Sequence, residues 1–119
     1  MREIKFRAWD KEKKQILVPL ACVFHFSIDG FQGVEYHGGG HVIFLQKNHV
    51  ELMQCTGLKD KNGKEIYEGD IINEGVIKNK IVSWFPGQCC FNIGYYHPEA
   101  QKRHEILGNI YENPELIKG

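Results

Sequence analysis

Two stretches carry residue types that could do chemistry at short spacing. The first is His37-Gly38-Gly39-Gly40-His41. A His-Gly-Gly-Gly run can build an oxyanion hole, but it works opposite a serine in a Gly-x-Ser-x-Gly elbow on a much larger α/β scaffold. The only serines are Ser27 and Ser83, neither between glycines, so acyl-transfer chemistry of that kind is excluded. Two imidazoles across a glycine turn could also chelate a metal, but alone they make a weak site that needs further ligands. A hairpin tip is the simpler reading. The second stretch is Cys89-Cys90, followed by His97 and His104. Structural zinc sites space their cysteines by two to four residues so that both sulfurs reach one ion. Adjacent residues on a strand project to opposite faces. A catalytic thiolate would further need a base or a positive neighbour to lower its pKa. A metal- or thiol-dependent activity is therefore the least favoured reading, and no cofactor is expected.

Paired carboxylates offer a third chemistry. Glu65, Glu68 and Asp70 lie within six residues, but acid–base work requires one of them to be raised in pKa by burial. They flank an Asn-Gly and a Gly turn, where solvent access is expected. No phosphate loop, dinucleotide fingerprint, calcium loop or metalloprotease motif occurs. The expectation is a non-enzymatic protein. Trp9, Trp84, Tyr95, Tyr96 and Tyr111 remain as a stacking platform for single-stranded nucleic acid or as anchors of a protein interface.

The elements that would position these residues follow a period of two rather than 3.6. Ile4, Phe6 and Ala8 alternate with Lys5, Arg7 and Trp9, as a half-buried strand requires. Cys22, Phe24, Phe26 and Ile28 alternate with Ala21, Val23, His25 and Ser27, and Asp29-Gly30 signals a hairpin turn. Two short strands flank the glycine run, and around Asn48 to Gln54 an extended segment and a helical turn are equally allowed. Thr56-Gly57 is expected to break the chain. Asn62-Gly63 is the dipeptide most favoured in a type I′ turn, where both central residues take positive φ. Glu68-Gly69-Asp70 is a further tight turn. After a polar tip at Lys78-Asn79-Lys80 a β-prone run ends in Trp84-Phe85, "CCFNIGYY" follows the Pro86-Gly87 turn as another strand, and "HEILGNIY" is a last strand with a kink at Gly108. Asn113 can cap one helical turn with Pro114 at its first position. Short strands at intervals of about 8–12 residues predict an all-β fold, a small barrel or sandwich.

Composition agrees with one folded domain over 1–119. The 119 residues hold 42% hydrophobic and 12% aromatic side chains, enough for a core without a disulfide or metal staple. Fifteen Lys and Arg balance fifteen Asp and Glu, so neither a phosphate-gripping basic protein nor an acidic DNA mimic is indicated. A local basic patch remains, six bases against three acids in residues 1–14, with a solvated strand face as the simpler account. No apolar run approaches a membrane span, and the N-terminus does not read as a secretory signal. A cytosolic protein with free thiols is expected.

Three segments together, "MREIKFRAWDKE", "MQCTGLKDKNGKEIYEGDII" and "ILGNIYENPELI", resemble the YopX family of small bacteriophage and prophage proteins. They occur in the family's order and cover well under half of the chain. Residues 13–52 and 76–105 carry no part of the resemblance, and Cys55 stands where many relatives have an aromatic. The resemblance implies a mainly β fold with a barrel-like core, a phage or prophage origin and action in the cytoplasm of the bacterial host. It implies no catalytic residues.

The leading expectation is thus an accessory protein that binds a host or phage protein, with self-association through uncovered β edges. Its candidate surface is Arg2, Arg7, Trp9, Lys11, Trp84 and Tyr96. The alternative is a small-barrel nucleic-acid binder using Arg2, Lys5, Arg7, Trp9 and the basic turn Lys11–Lys14. A metal or thiol site on Cys89, Cys90, His97 and His104 comes third.

Overall fold

The structure, a computed structural model, describes residues 5–75, 77–85, 90–92 and 103–117. It is mainly β, as the alternation predicts: twelve strands and short 3-10 turns, with no α-helix among the described residues. The chain groups into two compact units, Lys5–Met53 and the part from Gln54 onward.

In the unit Lys5–Met53, β1 (Phe6–Asp10) pairs antiparallel with β2 (Gln15–Ile16), Trp9 opposite Ile16. The turn between them is held by Asp10, a buried carboxylate accepting from the backbone N–H of Glu12 and Lys13. On its other side β1 neighbours β6 (Val50–Lys59), and Lys11 N–H donates to the His49 carbonyl at 3.1 Å. Strands β3 (Cys22–Ser27), β4 (Gly30–Tyr36) and β5 (Ile43–Gln46) form an antiparallel meander in that order. Gly30, at φ 103°, closes the first hairpin, and a 3-10 turn over Gly38–Gly40 leads to the third strand.

Alternation sets what this meander buries. Cys22, Phe24, Val34, Tyr36 and Leu45 project to one side and pack with Ala8, Leu17 and Val50 into the unit's core. Phe6 extends it with rings at 5.9 Å from Phe24 and 5.4 Å from Phe26. Fully burying one such aliphatic or aromatic side chain contributes about 1.5–3 kcal/mol. A bulge interrupts the alternation: His25 faces Gly33 but Phe26 faces Phe31, leaving Gln32 unpaired. Gly33 is required beside it. A Cβ there would meet the Leu45 carbonyl oxygen at 2.5 Å and the Phe44 ring at 2.6 Å.

In the unit from Gln54 onward, β6 pairs antiparallel with β7 (Glu65–Tyr67). Strand β8 (Asp70–Asn73) lies between β9 (Lys80–Ile81) and β12 (Glu105–Asn109). Strand β10 (Trp84–Phe85) pairs with β11 (Cys90–Phe91). Ile66, Ile72, Val82 and Phe91, with Leu58 and Ile106 against them, bring all three pairings round one barrel-like core. Beyond β12, residues Pro114–Ile117 form a 3-10 turn, the predicted C-terminal helical turn in its tightest form.

Four local expectations are corrected. Thr56-Gly57 does not break the chain; β6 runs through it, and the register to β7 slips between Cys55 and Lys59, with Gly57 at φ 83°. Asn62-Gly63 is not a type I′ turn, because Gly63 is at φ 83° while Asn62 does not take positive φ. The loop is longer, and the buried Asp60 organises it from inside. Asp70 is buried rather than solvated, accepting from Tyr67 N–H at 2.8 Å. Asn113 turns its side-chain oxygen back to Asn109 N–H, occupying space that a Cβ on Gly108 would fill at 2.2 Å. The kink at Gly108 is present as a register slip against β8.

Candidate interaction surface

Of the residues proposed as a surface, Arg2 and Tyr96 lie outside the described residues. Arg7, on β1, is half-buried and its Nε donates to Met53 Sδ at 3.4 Å. Trp9 is only 8% exposed, so it is a core residue rather than an anchor offered to a partner. The last three residues of β1 are buried irrespective of facing, because this strand has neighbours on both edges and packing on both faces. Lys11 is exposed, with its ammonium 3.0 Å from Glu51 and 3.3 Å from the Asn48 carbonyl. In the other unit Trp84 is 41% exposed and meets Phe91 edge-on, ring centroids 5.0 Å apart.

The side of the β3–β4–β5 meander away from the core presents a surface the sequence reading did not single out. Register places Val23, Glu35 and Phe44 in one row and His25, Gly33 and Gln46 in the next. Val23 and Phe44 are exposed, Phe44 by 52%. Its ring leans over Gly33 and meets His25 edge-on at 5.5 Å. Glu35 stands between two imidazoles: His25 Nε2 is 3.5 Å from one carboxylate oxygen, and His37 Nε2 bonds the other. The result is an apolar strip beside a polar cluster. Period-two alternation could have found it, since Val23, Glu35 and Phe44 are the out-facing members of their strands.

The candidate metal and thiol positions are placed as follows. His37 is engaged by Glu35 rather than facing His41. Cys89 and His97 lie outside the described residues. His104 is buried, its Nε2 3.5 Å from Glu74, which also pairs with Lys80 at 2.9 Å; among the described residues the His104 Nδ1 has no hydrogen-bond partner. Among the described residues, no three His, Cys, Asp or Glu are grouped to hold a metal ion. Cys22 donates to the Val18 carbonyl at 3.3 Å, and burial pushes its thiol up to about 11, away from the thiolate a nucleophile needs. The Ser27 hydroxyl accepts from Asp29 N–H and Gln32 Nε2 at the β3–β4 turn.

Asp60 is a buried carboxylate that accepts three backbone N–H bonds. Burial alone would raise its pKa, but the backbone N–H groups of Lys64, Ile106 and Asn62, with the Lys64 charge, hold it below the ordinary aspartate range. It joins the β6–β7 loop to β12 and is an element of the framework.

This is a small mainly β protein with exposed apolar strands. The family model for YopX protein matches residues 5–118, and the chain belongs to the YopX family. It is similar to the crystal structure of protein EF1440 from Enterococcus faecalis, at TM-score 0.72 and 25% identity, over 99% of this chain and 100% of that one. The crystal structure of protein yopX from Bacillus subtilis shares the fold at TM-score 0.61 and 17% identity, over 100% and 98% of the two chains. No curated protein matches the sequence. No helix among the described residues is long and apolar enough to cross a membrane.

Proposed function

We propose that the chain is a non-enzymatic protein-interaction module, an accessory protein of a phage or prophage acting in the cytoplasm of its bacterial host. The observation that carries this reading is the concentration of exposed apolar side chains on the unit Lys5–Met53. Leu20 and Ile28 stand fully exposed on its turns, and Val23, Phe26, Val42 and Phe44 on or beside its meander. Apolar groups held out in solvent beside a polar cluster are what a protein partner covers. The nucleic-acid alternative draws less support. Trp9 is buried, and the Lys11 ammonium is paired with Glu51, leaving fewer groups at that strand for phosphates and bases. The test is capture of the tagged protein from prophage-induced cells with and without nuclease. A protein retained after nuclease, and lost on Val23→Lys, supports the reading. Material lost on nuclease treatment refutes it in favour of nucleic acid.

A further inference from the structure

Among the described residues no strand pairs with the outer edge of β5, the last strand of its sheet, and its backbone geometry can be read from the ladder. His37 N–H donates to the Ala21 carbonyl at 2.8 Å, so His37, and with it Glu35, directs its backbone groups toward β3. Alternate residues of an antiparallel strand bond to opposite neighbours. Tyr36 and Val34 therefore bond toward β5, to their register partners Ile43 and Leu45. The Leu45 carbonyl oxygen lies against Gly33, as this requires. Phe44 and Gln46 then direct their backbone N–H and C=O groups outward from the open edge.

Several other edges carry devices that blunt pairing. Strand β2 has two residues and follows the lysine-rich turn 11–14; β9 has two residues, one of them Lys80. Strand β12 carries a bulge, and the β3–β4 pairing is interrupted by one whose extra residue, Gln32, lies on β4. Strand β5 has none of these. Residues 41–46, "HVIFLQ", contain no Asp, Glu, Lys, Arg or Pro, and Val42, Ile43 and Phe44 are exposed, Val42 by 63%. The Phe44 ring leans back over Gly33, so it does not cover the edge.

We infer that this edge pairs antiparallel with β5 of a second copy of the chain, about a two-fold axis at Phe44. Phe44 exchanges both backbone bonds with Phe44 of the second copy, and Ile43 faces Leu45 across the seam. Val42 faces Gln46, and the first charged residue, Lys47, faces His41 rather than another lysine. No like charges meet anywhere in the register, so the strand is complementary to itself. Two three-stranded meanders become one six-stranded sheet, and the Val23–Phe44 strips of both copies become continuous. The inference rests on the reading of the chain as a protein-binding module and names one of its partners.

Sedimentation velocity of the full chain at concentrations up to the order of 100 µM tests this by mass action. Gln46→Pro is the decisive variant. Gln46 already has φ −67°, which proline adopts, and the N–H it removes points outward, so the meander keeps its own bonds. Phe44→Lys sets two like charges opposite each other at the axis. A wild-type dimer whose dissociation constant rises more than about tenfold in both variants, with strand circular dichroism unchanged, is the expected result. A monomeric wild type overturns the inference, and so does a dimer that persists in Gln46→Pro. Either outcome leaves the interaction reading to be decided by capture with the Val23→Lys variant.

Discussion

Replacing Asp60 tests whether a buried turn carboxylate, rather than the Asn-Gly dipeptide, holds the β6–β7 loop. Asp60 accepts from Asn62 and Lys64 N–H, both at 2.9 Å, and from Ile106 N–H at 3.1 Å. Asn62 and Lys64 are exposed, so water can replace those two bonds and each contributes roughly 0.5 kcal/mol. Ile106 belongs to β12 and packs on the core, so its N–H, left unpaired, costs about 1–3 kcal/mol. Asp60→Ala should therefore lose roughly 2–4 kcal/mol of unfolding free energy. In Asp60→Asn the amide oxygen can keep the two loop bonds, while its NH₂ group confronts Ile106 N–H, for a loss of about 1–3 kcal/mol. Acid separates the two carboxyl states. Because the folded pKa is lowered, the unfolded chain binds more protons as pH falls, and stability falls with it. The Asp60 contribution is fully present above the unfolded value near ~3.9 and is lost as pH drops from there through the lower folded value. Urea unfolding of wild type and Asp60→Asn from pH 7 to 2.5 reads this directly. The gap between the two proteins should be constant above about pH 5 and shrink below pH 4. A gap under about 0.5 kcal/mol at pH 7, or one that does not change with acid, would refute the assignment.

Three further outcomes follow from the same geometry. Gly108→Ala should cost about 1–3 kcal/mol by overpacking against Asn113 and releasing its bond to Asn109 N–H, measured by urea unfolding; Gly108→Ala in an Asn113→Ala background should recover much of the steric part. Ile72→Ala, at a side chain with no exposure in the barrel-like core, should lose about 2–5 kcal/mol in the same assay, and a loss under about 1 kcal/mol would mean the site is not close-packed. Cys22, with its thiol near 11, should be about one part in a thousand thiolate at pH 8; its alkylation rate, followed by peptide mass mapping, should rise about tenfold per pH unit from 7 to 9, and a plateau in that range would contradict the burial effect.

Period-two alternation located most of the strands because it reports the one thing a half-buried strand must do. It placed Cys22 and Phe24 inward and Val23 and His25 outward, and it held until the bulge at His25–Phe26. The bulge itself had a trace in the sequence, a glycine inside a strand pattern at Gly33. Alternation failed at Trp9 because the end of β1 is buried on both faces, a condition set by strands distant in sequence. The buried aspartates were missed for a related reason. Asp10 and Asp60 each accept from N–H groups two to four residues onward, a local signature that turn chemistry permits reading. Their burial depends on β6 and β12 arriving beside them.

The proposed interaction surface divides the same way. That Val23 and Phe44 share a face follows from two local alternations, and a sequence reader can obtain it. That β5 ends a sheet, and that Phe44 and Gln46 direct their backbone groups outward, follows only from the order β3–β4–β5 and the phase of its hydrogen bonds. The same six apolar and polar residues in the middle of a sheet would be core. At an edge without lysine, proline or bulge, they leave hydrogen-bonding groups that no described residue pairs next to exposed apolar area, two liabilities that one added strand relieves together. The recognition function proposed for this unit therefore rests on its edge as much as on its face. Substitutions that reverse charge or size on the face should alter which partner is held, whereas proline at the edge should abolish strand pairing whatever side chains the partner brings.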